Sequence, residues 1–561
     1  MLEAVTPSGT LTLPESGVRL IAVRGSVSSR AAEEPPKMTN LTLPKVLKFA
    51  AIALLFPLAF ASLSAPTAQA ADAPGGVTIK AVSSEAVGLS WDAYAGAAQY
   101  RVRFDWSGGN IGPKVDGTYF EWTSTSDDPR MTDANRLHPG TTYTVRIRAL
   151  TASGADLSNY SNPLTFTTKD ASALPELAPV DLSATQASSS SLYLAWRSRG
   201  PGFKYEVRYG TSSGLDSAPA ATFGVAGGVL TGLNPASKYY FKVRVLNADG
   251  SAASEYSGVD SGTTPAAGFV AGIKVASYNV LKPGSGANSW TKRRGLLAAN
   301  ITANDPDVLG LQETTAVWVS GANGKKVRQW YDLSSRLSSK YAYTTTDNTS
   351  GTRLLYNKDR FSVVSSGYQR LSPLMPTGPR YAVWAILRDR TSNDRLFVIN
   401  THLQPPKGSS AKAVKATWTA RNKQASAVVK LIAAKNPEHL PTVVTGDMNS
   451  SRATKPSNGA YSVYMHGGLT DPLGNANDTW FATVAGPAEQ RIDVNYNSFN
   501  GMARTAAYTK YAVGTHVDYI LTANVARVAQ VRTVVNLNRA GKFIGTFASD
   551  HNMLTAYINL H

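Results

Sequence analysis

"RLFVINTHL" (395–403) and "TVVTGDMNS" (442–450) decide how the C-terminal half of this chain folds. Each reads as an apolar strand that ends in polar residues. His402 closes the first, and Asp447 and Asn449 close the second. Between them, "ATWTARNKQASAVVKLIAAKN" (416–436) carries helical periodicity and few breakers. The same pattern recurs on both sides. "IKVASYNVL" (273–281), "DVLGLQET" (307–314), "RLLYNKDRF" (353–361), "YAVWAILRD" (381–389), "HVDYILTA" (516–523) and "SDHNMLTAYI" (549–558) read as further strands, and "TKRRGLLAANITAND" (291–305) as a further helix. Strands alternating with helices over residues 270–561 predict a layered α/β domain long enough for a large core.

Carboxylate, carboxamide and imidazole groups stand at the ends of these strands: Asn279, Glu313, His402, Asp447, Asn449, Asp518, Asp550 and His551. Singly, each has a bland reading as a turn former, a solvated strand end or a satisfied core histidine. Together they lie where the strand ends of a layered fold converge on one crevice. Oxygen ligands of this kind suit a hard cation such as Mg²⁺. The chain has no Cys and no H-E-x-x-H spacing, so a thiolate nucleophile or a zinc site of the usual pattern is excluded. No Ser stands in a G-x-S-x-G elbow.

In order, the chain reads S-Y-N, L-Q-E, N-T-H-L, G-D-M-N, D-Y-I and S-D-H. In these motifs residues 270–561 resemble the endonuclease/exonuclease/phosphatase superfamily. The resemblance implies a four-layer α/β sandwich and metal-dependent hydrolysis of phosphate esters. It implies Mg²⁺, with Mn²⁺ or Ca²⁺ as substitutes, on Glu313, with Asn279 and Asp550 beside it. Asp447 would align or deprotonate the attacking water, and Asn449 would hold water and phosphate. His551, oriented by Asp518, would be the base or electrostatic partner of the phosphoryl group, and His402 would serve a phosphate oxygen or the leaving group. Apurinic endonucleases of this superfamily carry an acid two residues after the motif Asn. Leu281 stands there in this chain, so a second metal lacks that ligand.

Upstream, "LHPGTTYTVRIRAL" (137–150) and "LNPASKYYFKVRVL" (233–246) share Leu-x-Pro-x-x-x-Tyr followed by strict alternation, the mark of strands with one buried face. Each copy has an earlier strand Trp, Trp91 or Trp196. These features resemble two fibronectin type III sandwiches over 73–168 and 176–265, with Tyr143 and Tyr239 as the corner tyrosines. Structural spacing is the plainer role for them; a polysaccharide or cell-surface partner is the functional one. At the N-terminus, residues 38–70 read as a secretory signal peptide. Lys45 and Lys48 precede the apolar run Phe49–Leu63, and Ala68-Gln69-Ala70 is the cleavage signal, so a secreted protein is expected. Residues 1–37 read as an unstructured extension or a misassigned start.

The net charge of +18 lies wholly in residues 269–561, which hold 34 Lys+Arg against 16 Asp+Glu. That balance favours a polyanion such as nucleic acid. The clusters Lys292-Arg293-Arg294 and Lys325-Lys326-Val327-Arg328 are candidate backbone contacts, with Trp290, Trp330 and Tyr331 as rings for stacking bases. Arg293, Arg294, Lys325, Lys326 and Arg380 are the expected substrate-binding cations. The leading expectation is a secreted nuclease on DNA or RNA. A sphingomyelinase or inositol-phosphate type phosphoesterase comes second, though no exposed apolar hairpin for reaching lipid is evident. A non-catalytic adhesion protein comes third.

Overall fold

The computed structural model describes residues 73–561, apart from 108, 116–117, 124–136, 200–202, 248, 270–271, 322–323, 376–377, 453–458, 475–487, 510–512 and 539–540. The expected extension and signal peptide lie outside the described residues. No helix among the described residues is long and apolar enough to cross a membrane.

Residues 273–561 form two facing sheets with helices outside each. In one sheet the strands run in the order Tyr341–Tyr343, Arg353–Asn357, Val308–Gln312, Ile273–Asn279, Leu554–Asn559, Arg527–Thr533, Ala488–Ile492. In the other the order is Phe361–Met375, Gly378–Asp389, Arg395–His402, Thr442–Asp447, Asp518–Ala523. Their inner faces share one buried cluster that includes Val275, Val308, Val383, Val398, Val443, Ile520 and Leu554. Helices Trp290–Asn304 and Gln329–Leu337 cover the first sheet through Tyr278, Leu297, Leu309 and Leu333. Helices Ala411–Lys435 and Gly459–His466 cover the second through Phe397, Val428, Val444 and Tyr464. This is the α/β four-layer sandwich.

Side chains alternate between faces along a strand, so parity fixes what reaches the gap between the sheets. In Ile273–Asn279, Val275 lies in the inner cluster, and Ser277 and Asn279 follow on the same face. In the same way Val398 leads to Asn400 and His402, Val443 to Thr445 and Asp447, and Ile520 back to Asp518. The inner face therefore grades from an apolar floor through a polar rung to a polar mouth. In the rung, Gln312 Nε2 donates to Asn400 Oδ1 at 2.7 Å, Thr445 Oγ1 donates to the same atom at 3.1 Å, and the Gly446 N–H donates to Ser277 Oγ at 3.1 Å. Asn400 Nδ2 reaches across to the carbonyls of Leu311 and Arg353. Gly310 leaves room for this: a Cβ there would lie 2.0 Å from Thr445 Oγ1. These bonds, buried and charge-free, fix the spacing of the two sheets directly beneath the mouth.

The structure corrects two readings of the strands. "RLLYNKDRF" is not one strand: Arg353–Asn357 ends in a turn, and Phe361 opens the long hairpin of the other sheet. The strand in "SDHNMLTAYI" begins only at Leu554; Ser549, Asp550 and His551 precede it as a loop, in which His551 makes an isolated bridge to Phe499.

Two β-sandwiches precede this domain. In each, a corner tyrosine accepts a backbone hydrogen bond, Tyr143 Oη from His138 at 2.7 Å and Tyr239 Oη from Asn234 at 2.9 Å. The second sandwich is not a free spacer. Gln490 Nε2 donates to the Tyr193 carbonyl at 3.0 Å, Arg527 Nη2 donates to the Gln186 carbonyl at 2.6 Å, and the Tyr193 and Tyr557 rings lie 4.4 Å apart. Tyr193 forms a small buried cluster with Ala187 and Ala529, and Tyr557 packs against it. The sandwich thus covers the part of the seven-stranded sheet that lies beside the Arg527–Thr533 and Leu554–Asn559 strands.

Candidate active site

The polar mouth gathers the predicted strand-end groups. Asn279, His402, Asp447, Asp518 and His551 are buried, while Glu313, Asn449 and Asp550 are half-buried at the rim. Three backbone positions are bent to make it: Leu281 (φ 56°), Glu313 (φ 58°) and Asn449 (φ 49°) are left-handed. Such conformations cost about 1 kcal/mol or more for residues other than glycine and persist where surrounding bonds hold them. Those bonds are present. Asn279 Oδ1 accepts from the Leu281 N–H at 3.0 Å, Glu313 Oε2 from the Lys282 N–H at 2.8 Å, and Asp447 Oδ1 from the Asn449 N–H at 2.8 Å.

Asp447 sits at the centre. Its Oδ2 accepts from Asn279 Nδ2 at 3.0 Å and lies 3.4 Å from His402 Nε2 and 3.9 Å from His551 Nε2. Burial, then the Asp518 charge, raises its pKa above the ordinary carboxylate range. His551 Nδ1 is 2.8 Å from Asp518 Oδ2. Burial opposes a charge on this ring, but the charge and hydrogen bond of Asp518, with Asp447 and Asp550 adding, outweigh it and raise its pKa to about 10. His402 is the reverse case: burial and the nearby Arg380 hold it well below its ordinary value, so it stays neutral. Asn449 turns its amide nitrogen to the Leu403 carbonyl at 3.0 Å.

One grouping has the spacing to hold a cation, and a separate pair of carboxylates stands at the rim. Ligand atoms of Asp447, Asp518 and His551 all lie within 4.8 Å of one another. Asp518 Oδ1 is buried and without a hydrogen-bond partner, which leaves one oxygen open there. The proton between His551 and Asp518, however, already neutralises much of that charge, and an imidazolium repels a cation. The second pair is Glu313 and Asp550, half-buried at the rim. Burial raises the Asp550 pKa, the His551 charge lowers it and the Glu313 charge raises it again. Carboxylate oxygens of this kind fit a hard divalent ion.

Asp447, Asp550 and His551 all have folded pKa values above their unfolded ones. For each, the proton-bound form is the one the fold favours, so its contribution is complete at low pH and is lost as pH rises through the folded value. For His551 the window runs from about 6.5 to about 10. In chelator, melting temperature should fall across that window, a loss of up to about 5 kcal/mol, and Asp518→Asn should flatten the fall. A wild-type curve flat from pH 6.5 to 10 would contradict the assignment.

The expected cations fare differently. Arg293 is a correction: it is 0 % exposed, and its guanidinium donates to the carbonyls of Asn288, Val280, Ala548, Leu281 and Lys282. It staples the loop after Asn279 to the loop before Ser549 and is not available to substrate. Trp290 is likewise buried, with Nε1 donating to Asp332 at 2.7 Å, and stacks no base. Arg294 is half-buried, 3.4 Å from Asp332 and bonded to the Ser320 carbonyl. Lys325 and Lys326 are exposed on the hairpin Trp318–Ser320/Lys326–Arg328, and Tyr331 is exposed beside it. Trp330 lies under the Arg353 guanidinium. Arg380 is close enough to feel the charges of Asp447 and Glu313, and its Nε is buried with no hydrogen-bond partner. Arg293→Ala should therefore cost about 3 kcal/mol or more in urea unfolding, since it strands buried carbonyls, while Lys325→Ala should stay within ~0.5 kcal/mol. Equal effects would return Arg293 to the surface.

Sequence reasoning missed Phe499, whose ring lies edge-on to His551 at 5.0 Å, and Ser498, whose Oγ accepts from the N–H groups of Val517 and Asp518. "NSFNG" (497–501) has no periodicity or motif that would have marked it.

Residues 276–551 match the model of the Endonuclease/Exonuclease/phosphatase family, and residues 72–167 and 177–259 match that of the fibronectin type III domain. Among solved structures, an endonuclease/exonuclease/phosphatase family protein from Bacteroides thetaiotaomicron is 19% identical, with 51% of this chain and 97% of that one covered at a TM-score of 0.39. A protein of the same description from Bacteroides vulgatus is 20% identical, with 52% and 99% covered at 0.40. The human Nocturnin catalytic domain is 19% identical, with 51% and 93% covered at 0.33. No curated protein sequence matches the chain.

Proposed function

We propose, from the premise that residues 276–551 belong to the Endonuclease/Exonuclease/phosphatase family, that this chain is a metal-dependent phosphodiesterase whose substrate is nucleic acid. The observation that carries the chemistry is the buried His551–Asp518 pair at 2.8 Å, set against Asp447 with the Glu313 and Asp550 carboxylates at the rim. Hydrolysis joins a water oxygen to phosphorus and breaks the bond from phosphorus to the departing oxygen. Asp447, with its raised pKa, is suited to orient that water and take its proton. His551, held as an imidazolium by Asp518, donates from Nε2 to a phosphoryl oxygen as charge builds there. Neutral His402 offers a further hydrogen bond to the same group, and the departing oxygen takes a proton from solvent to leave as an alcohol. Glu313, with Asn279 and Asp550, would hold a divalent cation, Mg²⁺ first, which supplies charge neutralisation at the phosphoryl oxygens when bound.

The preference for a polyanion rests on the +18 charge and on exposed Lys325, Lys326 and Tyr331. The apolar run and small-residue signal at 38–70 support export. The full chain with Mg²⁺ should be offered plasmid, RNA, sphingomyelin and inositol phosphates. Nucleic acid should be cleaved, with binding that weakens steeply from 50 to 200 mM salt as counterions are released. Turnover confined to a small or lipid ester, with a flat salt response, would overturn the substrate assignment.

A further inference from the structure

Phe499 is an aromatic ring held rigidly in solvent at the edge of the reactive imidazole. It is 47% exposed, while its ring centre lies 5.0 Å from that of His551 at an interplanar angle of 66°. A single exposed apolar residue is ordinary on a protein surface. This one differs in how firmly it is placed. Its backbone bridges His551. On one side, the Asn552 N–H donates to the Ser498 carbonyl at 2.7 Å. On the other, the N–H groups of Asn500 and Gly501 both donate to the Asp550 carbonyl, at 2.8 and 3.0 Å. Asn500 Nδ2 adds bonds to the Ser549 carbonyl and to Asn552 Oδ1. Gly501 is left-handed (φ 57°), and a Cβ there would meet the Phe499 ring at 3.2 Å, so the absence of a side chain keeps the ring's place clear.

We infer that Phe499 is a specificity residue, a fixed platform that stacks a flat unsaturated ring carried by the substrate next to the scissile phosphate. A nucleobase and an aryl group share that chemistry. Exposing a large ring forgoes hydrophobic burial in the free protein, and that burial is recovered only when a partner ring covers it. The backbone that carries the ring is fixed in advance, so binding orders little of the chain. Base–aromatic stacking of this type is sequence-tolerant and strong enough to shift affinity by about tenfold. The inference rests on the phosphodiesterase reading for its substrate, and on the geometry alone for its contact.

The test compares wild type with Phe499→Leu, which keeps apolar bulk against His551 but loses the flat face, and with Phe499→Trp. Two diesters are used, a dinucleoside phosphate with rings and glycerophosphocholine without. For Phe499→Leu, KM on the dinucleoside phosphate should rise about tenfold with kcat little changed, and glycerophosphocholine turnover should not move. Phe499→Trp should restore the lower KM. An equal fall in kcat on both diesters would make Phe499 a positioning residue for His551 and overturn the platform. Unchanged kinetics on both would overturn it too. If wild type hydrolyses neither diester, the phosphodiesterase reading fails, and titration decides the contact separately. A nucleoside monophosphate should then bind Phe499→Leu about tenfold more weakly than wild type, with inorganic phosphate binding both alike. Equal weakening for the two ligands, or none, overturns the inference.

Discussion

His551→Gln is expected to lower kcat on a phosphodiester by about 10²-fold or more, the range for a group that handles protons or charge in the transition state. The ring stands between Asp518 at 2.8 Å and Asp447 at 3.9 Å, so its loss removes both the donor to the phosphoryl group and the charge that the two carboxylates hold in place. Asp518→Asn is expected to lose much of the same factor. The amide keeps the shape but no longer stabilises the imidazolium. The double variant should be little worse than His551→Gln alone, because residues acting as a unit are not additive. Losses that multiply would break the pair into two independent groups. The burial of this pair also changes what stability should do. On a surface turn, removal of the ring would be nearly silent. Here His551→Ala leaves Asp447 and Asp518 buried without their compensating charge, so melting temperature should fall along with activity. kcat of the Gln variant, measured below its own melting transition, is the clean readout.

The second large effect is at Glu313. Glu313→Gln should keep the fold, because an amide oxygen still accepts the Lys282 N–H that Oε2 accepts at 2.8 Å. It should lose hydrolysis by 10²-fold or more at millimolar Mg²⁺, with partial recovery only at much higher metal. Melting temperature of wild type should rise on adding Mg²⁺, and that of Glu313→Gln should not. A fully active Glu313→Gln, or wild type indifferent to excess EDTA, would remove the metal from the account.

Much of this site was legible because the strands announce themselves. Apolar runs that end in Asn279, His402 and Asp447 have the length and parity of strands, and parity carries those side chains to one gap. The order of the six short motifs did the rest. What the sequence withheld falls into two kinds. Arg293 looked like one member of a basic cluster, because charge counts do not say which face of the helix Trp290–Asn304 a cation occupies. Its neighbours Lys292 and Arg294 are exposed and half-buried, yet Arg293 points inward and binds five carbonyls. Phe499 and Ser498 lie in a loop without periodicity, and only tertiary bonds from Val517, Asp518 and Asp550 bring them to His551. The polar rung of Gln312, Asn400 and Thr445 was hidden for another reason. Each residue reads as part of a strand, and their bonding to one another depends on the register of two sheets.

In the proposed reaction, water attacks phosphorus in the cleft of Asp447, Asp518 and His551. The most direct measurement is hydrolysis of a phosphodiester by the full chain in ¹⁸O-water with Mg²⁺, under single-turnover conditions, with mass spectrometry of both products. One ¹⁸O should appear in the phosphate-bearing product and none in the released alcohol, and the rate of labelling should fall by about 10²-fold or more in His551→Gln. Label in the alcohol, or labelling by His551→Gln at the wild-type rate, would contradict it.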